Sequence, residues 1–275
     1  MKLSVWSSYY VQLSPEEALR ELKSHGYSYC ELSDEHALKL LERGDERYVG
    51  AQFGSYASAI GVELLQGHLF LGAKICLEED REVLKRQLRL FDAIGIKNAV
   101  LHCDSFTRSE EELSVEFKKD ENEKALRDLV SCLDGTDIVI CLENLRPPRL
   151  TLNADDLLYF IDRIGSEHLG ICLDTGHLNL AYERDQLEFI RKAGKHIKAL
   201  HLADNDGLGR DQHLMPYGTG VVDMEGVIRA MKALNYEGLY NLEIPGERHA
   251  PMEILGYKLD YVKKVFDYLD KVTEN

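Results

Sequence analysis

The sequence predicts an α/β fold, a (β/α)8 TIM barrel forming a single domain over residues 1–275. Three observations point there. Short apolar runs recur along the chain, separated by longer segments of helical periodicity. Several of these runs are almost wholly apolar rather than alternating, as strands of a parallel sheet covered on both faces are. The length of 275 residues, 44% of them hydrophobic, suits one such barrel. A doubly wound open sheet is the alternative. It usually offers a glycine-rich first turn, and "VWSSYYVQLS" after the first run offers none.

The predicted strands, in order, are "LSVW" from Leu3, "YSYCELS" from Tyr27, "GVELLQGHLF" from Gly61 and "NAVLHC" from Asn98, then "DIVICLEN" from Asp137, "LGICLDTGH" from Leu169, "IKALHLADN" from Ile197 and "GLYNLEI" from Gly238. The first helix is "SPEEALRELKSHGY". Ser14 is its N-cap, Pro15 its first residue, Glu17 closes a capping box and Gly26 stops it. The span from Asp34 to Ile60 is long enough for two helices. In "EDREVLKRQLRLFDAIG", Val83, Leu84, Leu88, Phe91 and Ile94 form one stripe. Asn153 and Asp223 are expected to cap "NADDLLYFIDRIG" and "DMEGVIRAMKALNYEG". A last helix, "MEILGYKLDYVKKVFDYLDKV", closes the series.

A net charge of −15 repels phosphate backbones and weighs against a nucleic-acid partner. The basic cluster "LKRQLR" falls inside a helical pattern and reads as a solvated face. No run of eighteen apolar residues occurs, and "MKLSVWSSYY" has no signal-peptide core, so a cytoplasmic, non-membrane protein is expected. None of the six cysteines forms a CxxC pair, and four lie in apolar runs, so no disulfide is expected.

Chemistry gathers at the strand ends, where a barrel carries its active site. Those ends hold His68, His102, Glu143, Asp174, His201 and Glu243. His177 follows Asp174 in the next loop, where Gly176 is expected to let the chain turn sharply, and Asp211 and His213 lie in "GRDQHLMPYGTG". Taken singly, each has a local explanation. Asp174 would cap the next helix, Glu143 would pair with Arg146, and Asp204 and Asp206 would turn their loop. Taken together, several carboxylates on one barrel mouth repel one another. A divalent cation removes that difficulty. Two glutamates, an aspartate and a histidine suit manganese, zinc, cobalt or magnesium, and the extra histidines favour manganese or zinc.

In this order, "VICLEN", "GICLDTGH", "ALHLADN", "DQHLMPYGTGVVD" and "LYNLEI" resemble the xylose isomerase-like barrel superfamily. That group holds sugar isomerases and epimerases, inosose dehydratases and the endonuclease IV repair enzymes. The resemblance runs through nearly the whole chain and is strongest from about residue 98 to 246. It implies that Glu143, Asp174, His201 and Glu243 bind one divalent metal. It also implies that Glu143 and Glu243 move the proton through a metal-stabilised enediolate, and that His177 touches a substrate hydroxyl. Further candidate substrate contacts are His68, His102, Trp6 and Arg210. Family epimerases commonly carry an arginine six residues after the strand-seven histidine; here that position is Gly207, with Arg210 nearby.

The implied activity is a metal-dependent sugar or sugar-phosphate isomerase or epimerase, with an inosose-type dehydratase as a variant. Two alternatives stand. An endonuclease IV-like phosphoesterase acting on abasic DNA would use His68, His102, His177, Asp211 and His213 as further zinc ligands. Against it, that branch has a cysteine where this chain has Gly176. A non-catalytic sugar-binding barrel is the other. Trp6, Tyr9, Tyr10 and "PGERHAP" are candidate pocket linings, and Arg146, Arg149 and Arg248 candidate phosphate contacts. The sequence leaves homo-oligomerisation and the identity of the sugar open.

Overall fold

The computed structural model describes residues 1–103, 113–181, 185–247 and 249–274. Its parallel strands are β1 (Lys2–Trp6), β2 (Tyr29–Leu32), β3 (Glu63–His68), β4 (Asn98–Leu101), β5 (Val139–Glu143), β6 (Leu169–Asp174), β7 (Ile197–Leu202) and β8 (Leu239–Leu242). They pair in sequence order, and β1 closes on β8, so the sheet is a closed barrel. Each predicted apolar run falls on one of these strands, and all but the first, which β1 precedes by one residue at Lys2, contain it whole.

The helices are α1 (Pro15–Ser24), α2 (Asp34–Leu41), α3 (Glu46–Ala59), α4 (Glu78–Ile94), α5 (Val115–Ser131), α6 (Ala154–Ile164), α7 (Thr175–Leu178), α8 (Gln186–Ala193), α9 (Met224–Ala233) and α10 (Met252–Val272). Local signals set many of the boundaries. Ser14 accepts from the Glu17 amide while Glu17 reaches back to Ser14, and Pro15 opens α1. Gly26, at φ +80°, follows its end in the left-handed region. Asn153 and Asp223 cap α6 and α9. The span after Asp34 holds two helices, α2 and α3. On α4 the buried stripe is Leu84, Gln87, Leu88, Leu90 and Phe91. Val83 and Ile94 lie half-exposed at its margins, because a 17-residue helix drifts off a narrow stripe over its length.

The main core fills the shell between strands and helices. Inside the barrel a small cluster of Val100, Cys141, Cys172 and Ala199 fills the middle. Such short side chains suit the narrow interior of an eight-stranded barrel. Cys30, Cys132, Cys141 and Cys172 form no disulfide. Tyr9 and Tyr10, sequence candidates for a pocket wall, are instead core residues, 1% and 0% exposed. A 3-10 turn over Ser7–Tyr10 directs both rings inward. No helix among the described residues is long and apolar enough to cross a membrane.

Candidate active site

Strand alternation and parallel register decide which side chains meet. His68, Glu143 and Asp174 are the last residues of β3, β5 and β6. His102 and Glu243 stand just beyond β4 and β8. Asp174 pairs in register with His201 of β7. All point into the same mouth, because residues at matching heights on a barrel share one layer.

The resulting cluster is dense and dry. Glu143 and His201 are fully buried, Asp174 likewise, and Glu243 is nearly so. One donor atom from each of Glu143, Asp174, His201 and Glu243 lies within 4.8 Å of the others. His201 Nδ1 stands 3.4 Å from Glu143 Oε2 and 3.3 Å from Glu243 Oε2. A second group, His68, His102 and Glu143, meets the same distance limit. There His102 Nε2 is 3.0 Å and His68 Nε2 3.4 Å from Glu143 Oε2. A third group is His177, Asp211 and His213. Asp211 Oδ1 is 3.3 Å from His177 Nε2 and 3.6 Å from His213 Nε2.

His177 reaches the mouth through a helical turn. Asp174 Oδ1 accepts from the His177 amide at 2.6 Å and caps α7. Gly176 lies within that turn and has no positive φ, so the sharp glycine turn expected from the sequence is not what returns His177. The Asp174 cap does so, and its other oxygen stays aimed at the cluster.

The electrostatics are those of competing charges in a dry site. Burial opposes ionisation of Glu143, yet His102 and His201 beside it hold its carboxyl well below the usual range. Burial pushes Asp174 up to about 6; His177 opposes the rise, and the neighbouring Glu143 and Glu243 add to it. Burial also opposes charge on His201, but the carboxylates of Glu31, Glu243 and Glu143 hold its imidazole well above the ordinary value. Cys172 adds nothing to that balance at neutral pH, because burial keeps its thiol protonated.

Hydrogen bonding tests whether a cation fits. Glu143 Oε1, Asp174 Oδ2, His177 Nδ1, His201 Nδ1 and Glu243 Oε2 are buried with no hydrogen-bond partner among the described residues. Each such atom costs about 1–3 kcal/mol when unsatisfied. Three carboxylate oxygens with imidazole nitrogen form a shell that a divalent ion accepts. The donor set therefore fits a divalent metal.

Other sequence candidates lie elsewhere. Arg210 is exposed, its guanidinium 3.8 Å from Asp206, and does not join the cluster. Trp6 is partly buried and donates through Nε1 to Ile244 O at 2.8 Å. Arg146 pairs with Asp211 at 2.9 Å rather than with Glu143, whose buried carboxylate is surrounded by imidazoles. Asp204 accepts from the Asn205 and Val222 amides and Asp206 from Leu208, so both shape their loop. Arg149 is half-buried and Arg248 falls outside the described residues.

Sequence reasoning missed Glu31. It is fully buried in β2, and both its oxygens lie 3.1 Å from His201 Nε2. A lone acid inside the apolar run "YSYCELS" was the available signal.

A closed parallel barrel with carboxylates and imidazoles converging on its strand ends defines a class of TIM barrels whose mouth suits a divalent ion. Within it, this chain belongs to the xylose isomerase-like TIM barrel family, whose model matches residues 19–265. The protein y4fM of Sinorhizobium fredii is 30% identical over 185 residues, 64% of this chain and 56% of its own length. The D-psicose 3-epimerase of Enterocloster bolteae is 25% identical over 260 residues, 88% of this chain and 82% of that protein. A probable endonuclease 4 of Mycoplasmopsis agalactiae is 30% identical over 144 residues, 48% of this chain and 50% of its own length. This chain thus spans about half the length of y4fM and of the endonuclease. Among solved structures, a D-tagatose 3-epimerase-like protein superposes with a TM-score of 0.80 at 19% identity, covering 99% of this chain and 98% of that one. That likeness establishes the barrel.

Proposed function

We propose that the protein is a divalent-metal-dependent sugar or sugar-phosphate isomerase or epimerase. One observation carries this reading: Glu143, Asp174, His201 and Glu243 meet in a dry mouth, each with a buried polar atom that has no hydrogen-bond partner among the described residues. The similarity to a D-psicose 3-epimerase over 88% of the chain supports the substrate class.

A divalent ion held by Glu143, Asp174, His201 and Glu243 would supply Lewis acidity toward a ketose carbonyl and its neighbouring hydroxyl. The protein supplies the proton transfers. A proton beside a carbonyl is abstracted by one of Glu143 and Glu243 and returned by the other to the opposite face or the adjacent carbon. Imidazoles beside both favour their ionised forms, so one is free to accept the proton, while the other must first take a proton from solvent before it can return it. His177, 3.1 Å from Glu143 Oε1, would meet a substrate hydroxyl. Manganese or zinc suits the mixed donors best.

The test is solvent exchange. Protein loaded with manganese is expected to incorporate deuterium from heavy water at the carbon beside the carbonyl of at least one ketose, aldose or inosose in a panel. A dehydratase on the same scaffold would also exchange, with loss of water. No incorporation into any member by metal-loaded protein overturns the proposal.

A specific observation favours a second reading. Three of five overlapping donor groups together cover all nine candidates, two of the three sharing Glu143. Three ions held this way would suit phosphoester hydrolysis by a multi-metal centre, and one relative bears the name probable endonuclease 4. Under that reading the protein carries about three zinc ions and nicks a duplex containing an abasic site. The net charge of −15 stands against such a substrate.

A further inference from the structure

Three histidines at the mouth show the same arrangement: one ring nitrogen is fixed by an oxygen, and the other faces the carboxylates. His68 Nδ1 lies 2.7 Å from Leu69 O, with Nε2 toward Glu143. His213 Nδ1 lies 2.8 Å from Glu243 O, with Nε2 toward Asp211. For both, the fixing partner is a neutral backbone carbonyl. His201 differs. Its Nε2 meets both oxygens of Glu31 at 3.1 Å, and its Nδ1 is the buried, unpartnered atom facing Glu143 and Glu243.

Glu31 is itself held from the other side. Gln66 Nε2 and Asn241 Nδ2 each donate to its Oε2 at 2.5 Å. The Asn241 amide has a defined orientation, because Ser4 Oγ donates to its Oδ1 at 2.8 Å. Strand register builds this network: Ser4 pairs with Asn241, Glu31 with Gln66, and Asn241 with His201. With its amide neighbours donating, Glu31 accepts, and an acceptor at Nε2 requires the proton there. Nδ1 is then the nitrogen left to a divalent ion, which displaces any proton it carries.

We propose that Glu31 is a positioning residue for His201. Its two oxygens hold the Nε2–H of the ring, aim Nδ1 at the mouth and so present that nitrogen to a divalent ion. This inference rests on the metal-site reading above but not on which substrate the site takes. It also explains a carboxylate buried inside a barrel, which no surface role or helix cap accounts for.

The test needs no substrate. Metal-free protein labelled with 15N-histidine is titrated with 113Cd2+, and His201 is assigned by comparison with His201→Gln. The expected result is a His201 Nε2–H retained throughout, with cadmium coupled to Nδ1. Glu31→Gln should weaken cadmium or zinc binding by about 10–100-fold, measured by chelator competition on protein shown to be folded. A purely structural role would lower the melting temperature and leave affinity unmoved. Cadmium coupled to Nε2 in the wild type, or a folded Glu31→Gln with affinity within about twofold of wild type, overturns the inference and leaves the metal-site reading standing. Wild-type protein that binds no divalent ion overturns that reading and this inference with it. Should Glu31→Gln fail to fold, the wild-type coupling decides alone.

Discussion

The two ends of the barrel share eight strands and little else. At the strand starts a hollow of about 510 Å³ opens among Lys2, Lys97, Asn98, Lys195, Lys198 and Tyr236. Its concavity alone would nominate it as a ligand site. Yet its polar groups have their needs met. Lys97 pairs with Asp137 at 2.7 Å, Lys2 donates to Glu237 O at 2.9 Å, and Lys195 and Lys198 reach solvent. At the strand ends the polar groups are buried, mutually repelling and short of partners. Unmet polar demand marks a site more reliably than an open shape, because leaving it unmet is what costs stability.

The largest effect that would test this contrast falls on the glutamates. Glu143→Gln and Glu243→Gln should each lower turnover by about 10²–10⁴-fold. They should leave the fold intact, since each removes one member of a crowded set of carboxylates. Steady-state kinetics beside a thermal melt checks both halves. A variant with full activity would remove that glutamate from the chemistry.

Metal removal should act at one end only. Divalent ion at about a hundredfold its dissociation constant should stabilise the protein by about 2.7 kcal/mol. Chelator titration followed by calorimetry reads this. The same shift should appear in Lys198→Ala and vanish in Asp174→Asn.

A histidine outside the mouth sharpens the comparison. His36 is fully buried between Ser7 Oγ at 2.8 Å and Leu13 O at 3.2 Å. Burial, with the nearby Lys39, pushes its imidazole down to about 4. The folded value lies below the unfolded one of about 6.5, so the unfolded chain binds more protons between them. Stability is therefore lost as pH falls from about 6.5 toward 4. At pH 5 the loss is about 2 kcal/mol relative to neutral pH. Denaturant melts of wild type and His36→Gln should show a pH slope in the first that is reduced in the second. An unchanged slope would place the titration elsewhere.

The smallest effect belongs to the strand starts. Lys195→Ala and Lys198→Ala should change stability by less than about 0.5 kcal/mol, and turnover by less than about twofold. A large loss of activity in either would contradict the division between the two ends.

Most of this molecule was legible from sequence. The barrel followed from apolar runs and helical periodicity, and the caps at Ser14, Asn153 and Asp223 from local chemistry that needs no tertiary context. The mouth followed from position, since polar residues ending apolar strands share one face of a barrel. What escaped depended on the third dimension. Glu31 lies in the middle of a run read as core, and only closure of the barrel sets it against His201, 170 residues away. Arg210 stands close to the mouth in sequence, but its loop turns the guanidinium to solvent. Gly176 offers the local signal for a turn at His177, but the turn is made by the Asp174 side chain capping the His177 amide, a contact that depends on where β6 ends.

The central claim is that the barrel mouth is a divalent-metal site built on Glu143, Asp174, His201 and Glu243. Anomalous diffraction from crystals grown with manganese tests it most directly. The account predicts a peak bounded by those four side chains, with His201 turned to it through Nδ1. Well-ordered crystals with no peak among them, or with manganese bound only at the lysine-lined end, would contradict it.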